Sequence, residues 1–358
     1  MNHRKTTILA AKALGVSGTE IIELNVKDNI AQLHFTTVVT TGAAQKIASP
    51  LAAVTKIELL DGSTKLLELK GTTMQAVQFY DSGQIGTKYL HNTKSANHTE
   101  NSCVMFGRFP YDPLYNFDPK AFKNPQIRVT WNVALCEVNA TAFNLKVIAD
   151  CFDEKITTPV GFMRDNTVYV YTPTAAAYAY VDLPTDLDIR KLMIQFEQPG
   201  AKLELLLADC KLSEDNDKRV PFDMSVAEFL EMDTDLYPDI KQTAYFMTSA
   251  GGHWIFAAPS FNAGGSYMNI TGVLAVQMTN FNGNRFSCGT ASATDVVRAI
   301  LTGEIPWQTV CWPFGDPYDP EDWYKVQSIG NLRLRILGGA SAGANTVGSV
   351  VLQQVYKY

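Results

Sequence analysis

Apolar and polar residues alternate in short runs along most of the chain. Residues 20–26 (EIIELNV) and 30–39 (IAQLHFTTVV) read as two strands separated by Lys27-Asp28-Asn29. Further runs at 55–60, 65–69, 126–133, 143–152, 167–171, 191–196, 202–207, 268–278, 331–337 and 348–356 are rich in β-branched and aromatic residues, with Gly, Pro, Asn or Asp at their ends. That is the pattern of strands. Helical spacing is confined to residues 72–80, 225–232 and 294–301, the last opening on Thr294-Asp295 as a cap. Many short strands, long loops and few helices predict an all-β chain of sandwiches, not an α/β enzyme core.

Four segments then recur in the same order. KIELLDGSTKLLEL (56–69) resembles KLMIQFEQPGAKLEL (191–205), each a strand, a Gly-containing turn and a strand. TTMQAVQFYD (72–81) resembles SVAEFLEMD (225–233), each a short capped helix. FPYDP (109–113) resembles WPFGDP (312–317), and a second Asp-Pro follows each. NPQIRV (124–129) resembles NLRLRI (331–336). The offsets grow from 135 to 153, 203 and 207, as duplication followed by insertion would leave them. The jump from 153 to 203 puts about 50 extra residues between Asp233 and Trp312. The implied organisation is a basic N-terminal arm or helix over 1–19, a first sandwich over 20–155, and a second over 156–358 with a long insertion around 234–310. The linker DEKITTPVGFMRD (153–165) carries the boundary.

Length and charge agree with this division. A chain of 358 residues has room for two domains. A net charge of −6 argues against a surface that wraps nucleic acid. The exception is local: His3, Arg4, Lys5 and Lys12 precede the first acid, Glu20. Residues 6–16 (TTILAAKALGV) are apolar, but Lys12 interrupts them and no small-x-small cleavage site follows. They read as a short amphipathic helix or a mobile arm, separable from the folded body. No apolar run approaches the roughly 20 residues of a membrane span. Six cysteines, none closer than 15 residues to the next, lack zinc-site spacing and read as reduced thiols in the core.

Gly339-Ala340-Ser341-Ala342-Gly343 matches G-x-S-x-G, which needs a strand before the serine, a helix after it and a histidine downstream. The following segment reads as strand, and no histidine follows His253, so this is a small-residue loop. The histidines His3, His34, His91, His98 and His253 form neither H-x-H nor H-E-x-x-H, and His91 and His98 share one polar stretch. Asp316, Asp319, Glu321 and Asp322 read as Asp-Pro turns; Glu214, Asp215 and Asp217 read as a solvated loop. No phosphate-binding loop is present. Trp254 and Tyr267 read as packing a long loop against a neighbouring subunit. No catalytic, metal-binding or cofactor-binding residue is expected, and the chain is expected not to be an enzyme.

Two tandem sandwiches, a short helix after an early hairpin and a long excursion in the second half together resemble the double jelly-roll major capsid proteins of tailless icosahedral viruses, especially small bacteriophages with an internal membrane. The resemblance runs from about Glu20 to Tyr358. It rests on 56–81 matched with 191–233, and on 109–129 matched with 312–336. It implies two eight-stranded antiparallel jelly rolls standing upright in a virion shell, homotrimers that form pseudo-hexagons, and minor capsid or penton proteins as further partners. It also implies synthesis in the host cytoplasm and a tower built from residues 251–272. Arg4, Lys5 and Lys12 would face anionic lipid or genome from the inner side, each contributing about 1 kcal/mol at an anionic surface. No sequence-specific nucleic-acid contact is expected. The alternative is a two-domain jelly-roll carbohydrate-binding protein or glycan-processing enzyme, which would need a cleft with convergent polar groups.

Overall fold

A computed structural model of the chain describes residues 2–92, 95–154, 157–247, 253–269, 276–290 and 296–358. The first half holds β1 (His3–Leu14), β2 (Ser17–Glu23), β3 (Ile30–Thr40), β4 (Val54–Asp61), β5 (Thr64–Leu69), helix α1 (Gly71–Ser82), β6 (Tyr89–Asn92), β7 (Asn97–Met105), β8 (Pro125–Asn132) and β9 (Ala142–Phe152). The second half begins with β10 (Gly161–Tyr171), β11 (Tyr178–Leu183), β12 (Ile189–Glu197), the single-turn α2 (Leu203–Leu206), β13 (Leu207–Glu214), β14 (Arg219–Ser225) and α3 (Val226–Leu236). An excursion follows: β15 (Ile240–Met247), β16 (His253–Phe256), β17 (Pro259–Asn269), β18 (Val276–Asn282), β19 (Arg285–Thr290) and β20 (Val296–Pro306). The chain closes with β21 (Thr309–Pro313), β22 (Leu332–Gly338) and β23 (Val347–Lys357).

The two halves repeat one strand order. The sheets β1-β9-β3-β7 and β2-β8-β4-β5 enclose the first core, where Leu33, Phe35 and Val147 meet Ile57, Leu67 and Val129. In the second half β10-β23-β12-β21 and β11-β22-β13-β14 do the same around Leu192, Ile194, Leu212, Leu334 and Val350. Each half is an eight-stranded jelly roll, so the all-β double jelly-roll expectation holds. Asn166 of β10 pairs in parallel with Glu68 of β5, which fuses one sheet of each half into a continuous eight-stranded sheet. The excursion builds two small sheets, β17-β20-β15-β6 and β16-β19-β18, and its β15 pairs with β6 of the first half.

Sequence pattern explains which faces are covered. On β3, Leu33, Phe35 and Val39 are buried while Gln32, His34, Thr36 and Val38 are half-buried, the signature of a strand with one face in the core. On β12 and β23 nearly every residue is buried. Part of their outer face is covered by α1 of the first half, whose Thr73 and Asp81 bond Gln195, Lys191 and Gln353, and Tyr115 and Trp323 cover Val355. The helix ends at Gly83, whose φ of 67° suits glycine, and the Gly83 N–H donates to the Phe79 carbonyl.

Four expectations need correction. Residues 3–14 are a strand, not a helix or arm: β1 pairs with β9 from His3↔Phe152 to Leu14↔Phe143. Residues 296–301 of the expected third helix lie in β20, which is clamped between β15 and β17; Thr294 and Asp295 lie outside the described residues. Residues 203–206 form α2, and the strand expected there starts at Leu207. Finally, the first repeat match is out of register. The β4–β5 hairpin occupies the place of β13–β14, not of β12 and α2. Val54 and Leu207 are 153 residues apart, close to the 155 between Gly71 and Val226. The extra length therefore lies wholly between α3 and β21. Of the expected tower, residues 253–269 are described, as β16 and β17; residues 251–252 and 270–272 lie outside the described residues.

Candidate assembly surfaces

The residues singled out for chemistry are held in structural roles. Ser341 lies in the loop between β22 and β23, its N–H donating 2.7 Å to the Leu205 carbonyl, and strand, not helix, follows it. His34 meets Asp150 at 2.9 Å, His3 packs on Tyr111 and Phe152, and His91 stacks on Tyr245. His98 is buried, 3.0 Å from the Thr41 hydroxyl and 2.9 Å from Lys46 Nζ. Asp316, Asp319 and Asp322 accept from the N–H groups of Tyr318, Glu321 and Asp316, which fixes the turn they occupy. Asp217 accepts from Ser213 and Lys211, and Glu214 from Arg219. The Arg285 guanidinium sits 4.4 Å from the Trp254 ring. Among the described residues no group of three His, Cys, Asp or Glu side chains is placed to hold a metal ion. Cys103, Cys136, Cys151 and Cys210 are buried thiols, and Cys311 Sγ lies 3.7 Å from the Tyr237 hydroxyl.

The basic N-terminus is an edge strand whose cations are paired. Arg4 bonds Asp28 and lies 3.5 Å from Asp153. Lys5 Nζ donates 2.6 Å to Asp150, and Lys12 Nζ donates 2.6 Å to Glu20. Asp150 also accepts from Gln32 at 2.6 Å and from Tyr111 at 3.1 Å. Burial opposes its charge, but the bonds from His34, Lys5 and Gln32 outweigh burial and hold the carboxyl well below the usual range. The three cationic side chains remain 41%, 65% and 48% exposed for Arg4, Lys5 and Lys12.

The junction of the two jelly rolls was invisible in the sequence. All of α1 except Gln78 and Ser82 is buried. Along it, Lys70 Nζ donates 2.6 Å to Glu197, the Thr73 hydroxyl 2.8 Å to Gln195, and the Tyr80 hydroxyl 2.5 Å to the Thr309 carbonyl. At its last turn Asp81 accepts from Arg190 and Lys191, both at 2.8 Å, and from Gln353 at 2.8 Å. Gln353 also donates 2.9 Å to Asp165. No spacing rule could have linked Asp81 to residues more than 100 positions away; the only hint was a run of consecutive buried-type positions in β12.

Comparison with known proteins bears on this architecture. No protein-family model matches the sequence, and the curated proteins gave no match. Solved structures do. The crystal structure of the STIV MCP, from Sulfolobus turreted icosahedral virus, superposes with a TM-score of 0.59 at 10% identity, covering 100% of this chain and 97% of that one. The PBCV-1 virus capsid gives 0.57 at 10% identity over 99% and 94% of the two chains. The major capsid protein of bacteriophage PM2 gives 0.53 at 10% identity over 99% and 98%. The likeness thus spans both jelly rolls. The chain has the double jelly-roll fold of these capsid subunits.

Proposed function

We propose that this chain is a major capsid protein, forming the shell of an icosahedral virus particle. In this reading it self-assembles as trimers, whose jelly rolls together make a pseudo-hexagon, and these tile around a genome and an internal membrane. The carrying observation is the end-to-end likeness to capsid subunits: nearly the whole of each chain is aligned. The half boundary lies near residues 153–165 in this reading. Arg4, Lys5 and Lys12 line the inner side. Their pairing with acids tempers their pull on anionic lipid, while their exposure keeps them available to it. Minor capsid or penton proteins would seal the vertices.

Electron microscopy and native mass spectrometry of the purified chain, with and without anionic vesicles, test the proposal. Trimers that grow into hexagonal sheets or shells are the expected result. A monomer at all concentrations, or one that binds or cleaves glycans, overturns it. Shells that never enclose or retain vesicles remove the membrane from the proposal and leave the capsid.

A further inference from the structure

We infer that the outer face of the sheet β11-β22-β13-β14 binds an uncharged carbohydrate, in a groove walled by Tyr180 and edged by Arg333. The inference goes beyond the capsid reading and does not depend on it.

Alternation builds the face. Along β11, Val181 and Leu183 are buried in the second core, so Tyr178, Tyr180 and Asp182 face outward. The rings of Tyr178 and Tyr180 lie 6.3 Å apart and the residues are 53% and 60% exposed. Two bare tyrosines side by side make a large, rigid surface, apolar on the ring faces and polar at the tips. Beside them runs a groove of about 280 Å³, lined by Tyr180, Asn216, Asn331, Arg333 and Arg335 among others. That volume is near the lower end for ligand sites and has room for the end of a sugar chain.

The first half supplies the contrast. Its β2-β8 pair repeats β11-β22: Ile21 lies opposite Arg128 as Tyr180 lies opposite Arg335. Likewise Thr19 lies opposite Thr130 as Tyr178 lies opposite Leu337. The arginine is present in both sheets, and in the first it is closed on Glu58 by bonds of 2.6 and 2.7 Å. The paired rings belong to the second sheet alone. The jelly roll therefore folds without aromatics at these two positions.

Charge selects the class of ligand. Arg333 Nε donates 2.8 Å to Asp182, and Lys211 Nζ donates 3.0 Å to Asp217. Arg335 donates to Asp209 at 2.9 Å and to Asp223 at 3.1 Å. Each of these cations already has a carboxylate, which leaves no spare positive charge for a phosphate, a sulfate or a sugar acid. What remains is donors and acceptors side by side. Arg333 bonds Asp182 through Nε, so its terminal nitrogens stay available, and the Asp182 side chain is 67% exposed. The amides of Asn216 and Asn331 carry both kinds of group. Neighbouring sugar hydroxyls need that mixture, because each one both gives and accepts. The apolar C–H side of the sugar ring would lie on Tyr180. The Arg335 guanidinium sits 5.2 Å from the Tyr178 ring, which steadies that ring and leaves Tyr180 as the platform.

The test titrates the full-length chain with uncharged oligosaccharides of glucose, mannose, galactose and N-acetylglucosamine to millimolar concentration, and with heparin fragments as the anionic probe. Calorimetry reads binding, and native mass spectrometry of the same samples reads association. At least one uncharged oligosaccharide is expected to bind. Tyr180→Ala weakens it about tenfold or more, whereas Tyr180→Trp, which keeps a platform, stays within about threefold. Arg333→Gln weakens it about fivefold, and Ile21→Ala in the first half changes nothing. Because its ring is exposed, Tyr180→Ala moves the melting temperature by less than about 3 °C. No binding of any uncharged oligosaccharide, binding of heparin alone, or a Tyr180→Ala chain that binds as well as the natural one overturns the inference and leaves the capsid reading standing. A chain that binds sugar as a monomer and never associates upholds the inference and overturns the capsid reading.

Discussion

Asp81 shows how much one side chain decides here. It is fully buried, which disfavours its charge, yet Lys191 and Arg190 hold it ionised, below the usual carboxylate range. Asp165, on the far side of Gln353, goes the other way: burial and the Asp81 charge push it well above that range. The two carboxyls are thus pushed in opposite directions, the cations favouring the charged form of Asp81 and burial favouring the neutral form of Asp165. Replacing Asp81 with Asn strands two buried cations and is expected to cost about 3–5 kcal/mol, measurable by urea denaturation; a loss below about 1 kcal/mol would contradict this account. Glu100 offers a second measurement. Burial lifts its carboxyl from 4.5 to about 7, with the Thr87 hydrogen bond and the Lys46 charge offsetting only part. A raised carboxyl means the folded state holds its proton longer than the unfolded state. Its contribution to stability is therefore full below about pH 4.5 and is lost as pH rises through about 7. Glu100→Gln should flatten the stability profile across that window, and an unchanged slope would sink the argument. Neither residue was legible in the sequence, because what matters at each is burial and partners supplied by distant parts of the chain.

At the scale of elements, period decided what could be read. Strands with clean alternation, such as β3, β8 and β9, were placed within a residue or two of their bounds. So was α1, whereas α3 starts within a residue of its expected place but runs four residues past the expected end. β1 was misread for a physical reason. Register shifts between Thr7 and Leu9, and between Leu9 and Lys12, break its alternation into intervals that imitate a helix. The partner strand β9 then overrides any local preference. The consequence reverses the expectation of a separable arm. Ile8, Leu9 and Leu14 pack on the first core, so deleting residues 1–16 removes roughly 4 kcal/mol of burial at about 1.5 kcal/mol per side chain. It also bares the edge of β9. A fall in Tm of about 5 °C or more, with aggregation, is the expected result; a deletion that melts like the full chain would show β1 to be dispensable. The repeat had its own trap: a strand, a glycine turn and a strand recur too often to fix register, whereas the helix match fell on corresponding helices, two residues out of step.

For the whole molecule, order along the chain carried the fold: two similar sets of strands, each with a helix before its last three. The way the halves join was not legible. The parallel pairing of β5 with β10 and that of β6 with β15 bring together segments whose sequences carry no mark of each other. Of the candidate surfaces, the basic N-terminus was visible as charge but not as a strand, and the α1 junction was not visible at all. That junction also decides how copies of the chain could come apart. The contact between α1 and the second jelly roll is formed inside one chain, so covalent connection, not protein concentration, governs its strength. Only the contact between copies depends on collision. Dilution would therefore separate any assembly of copies into whole double jelly rolls and never into single ones.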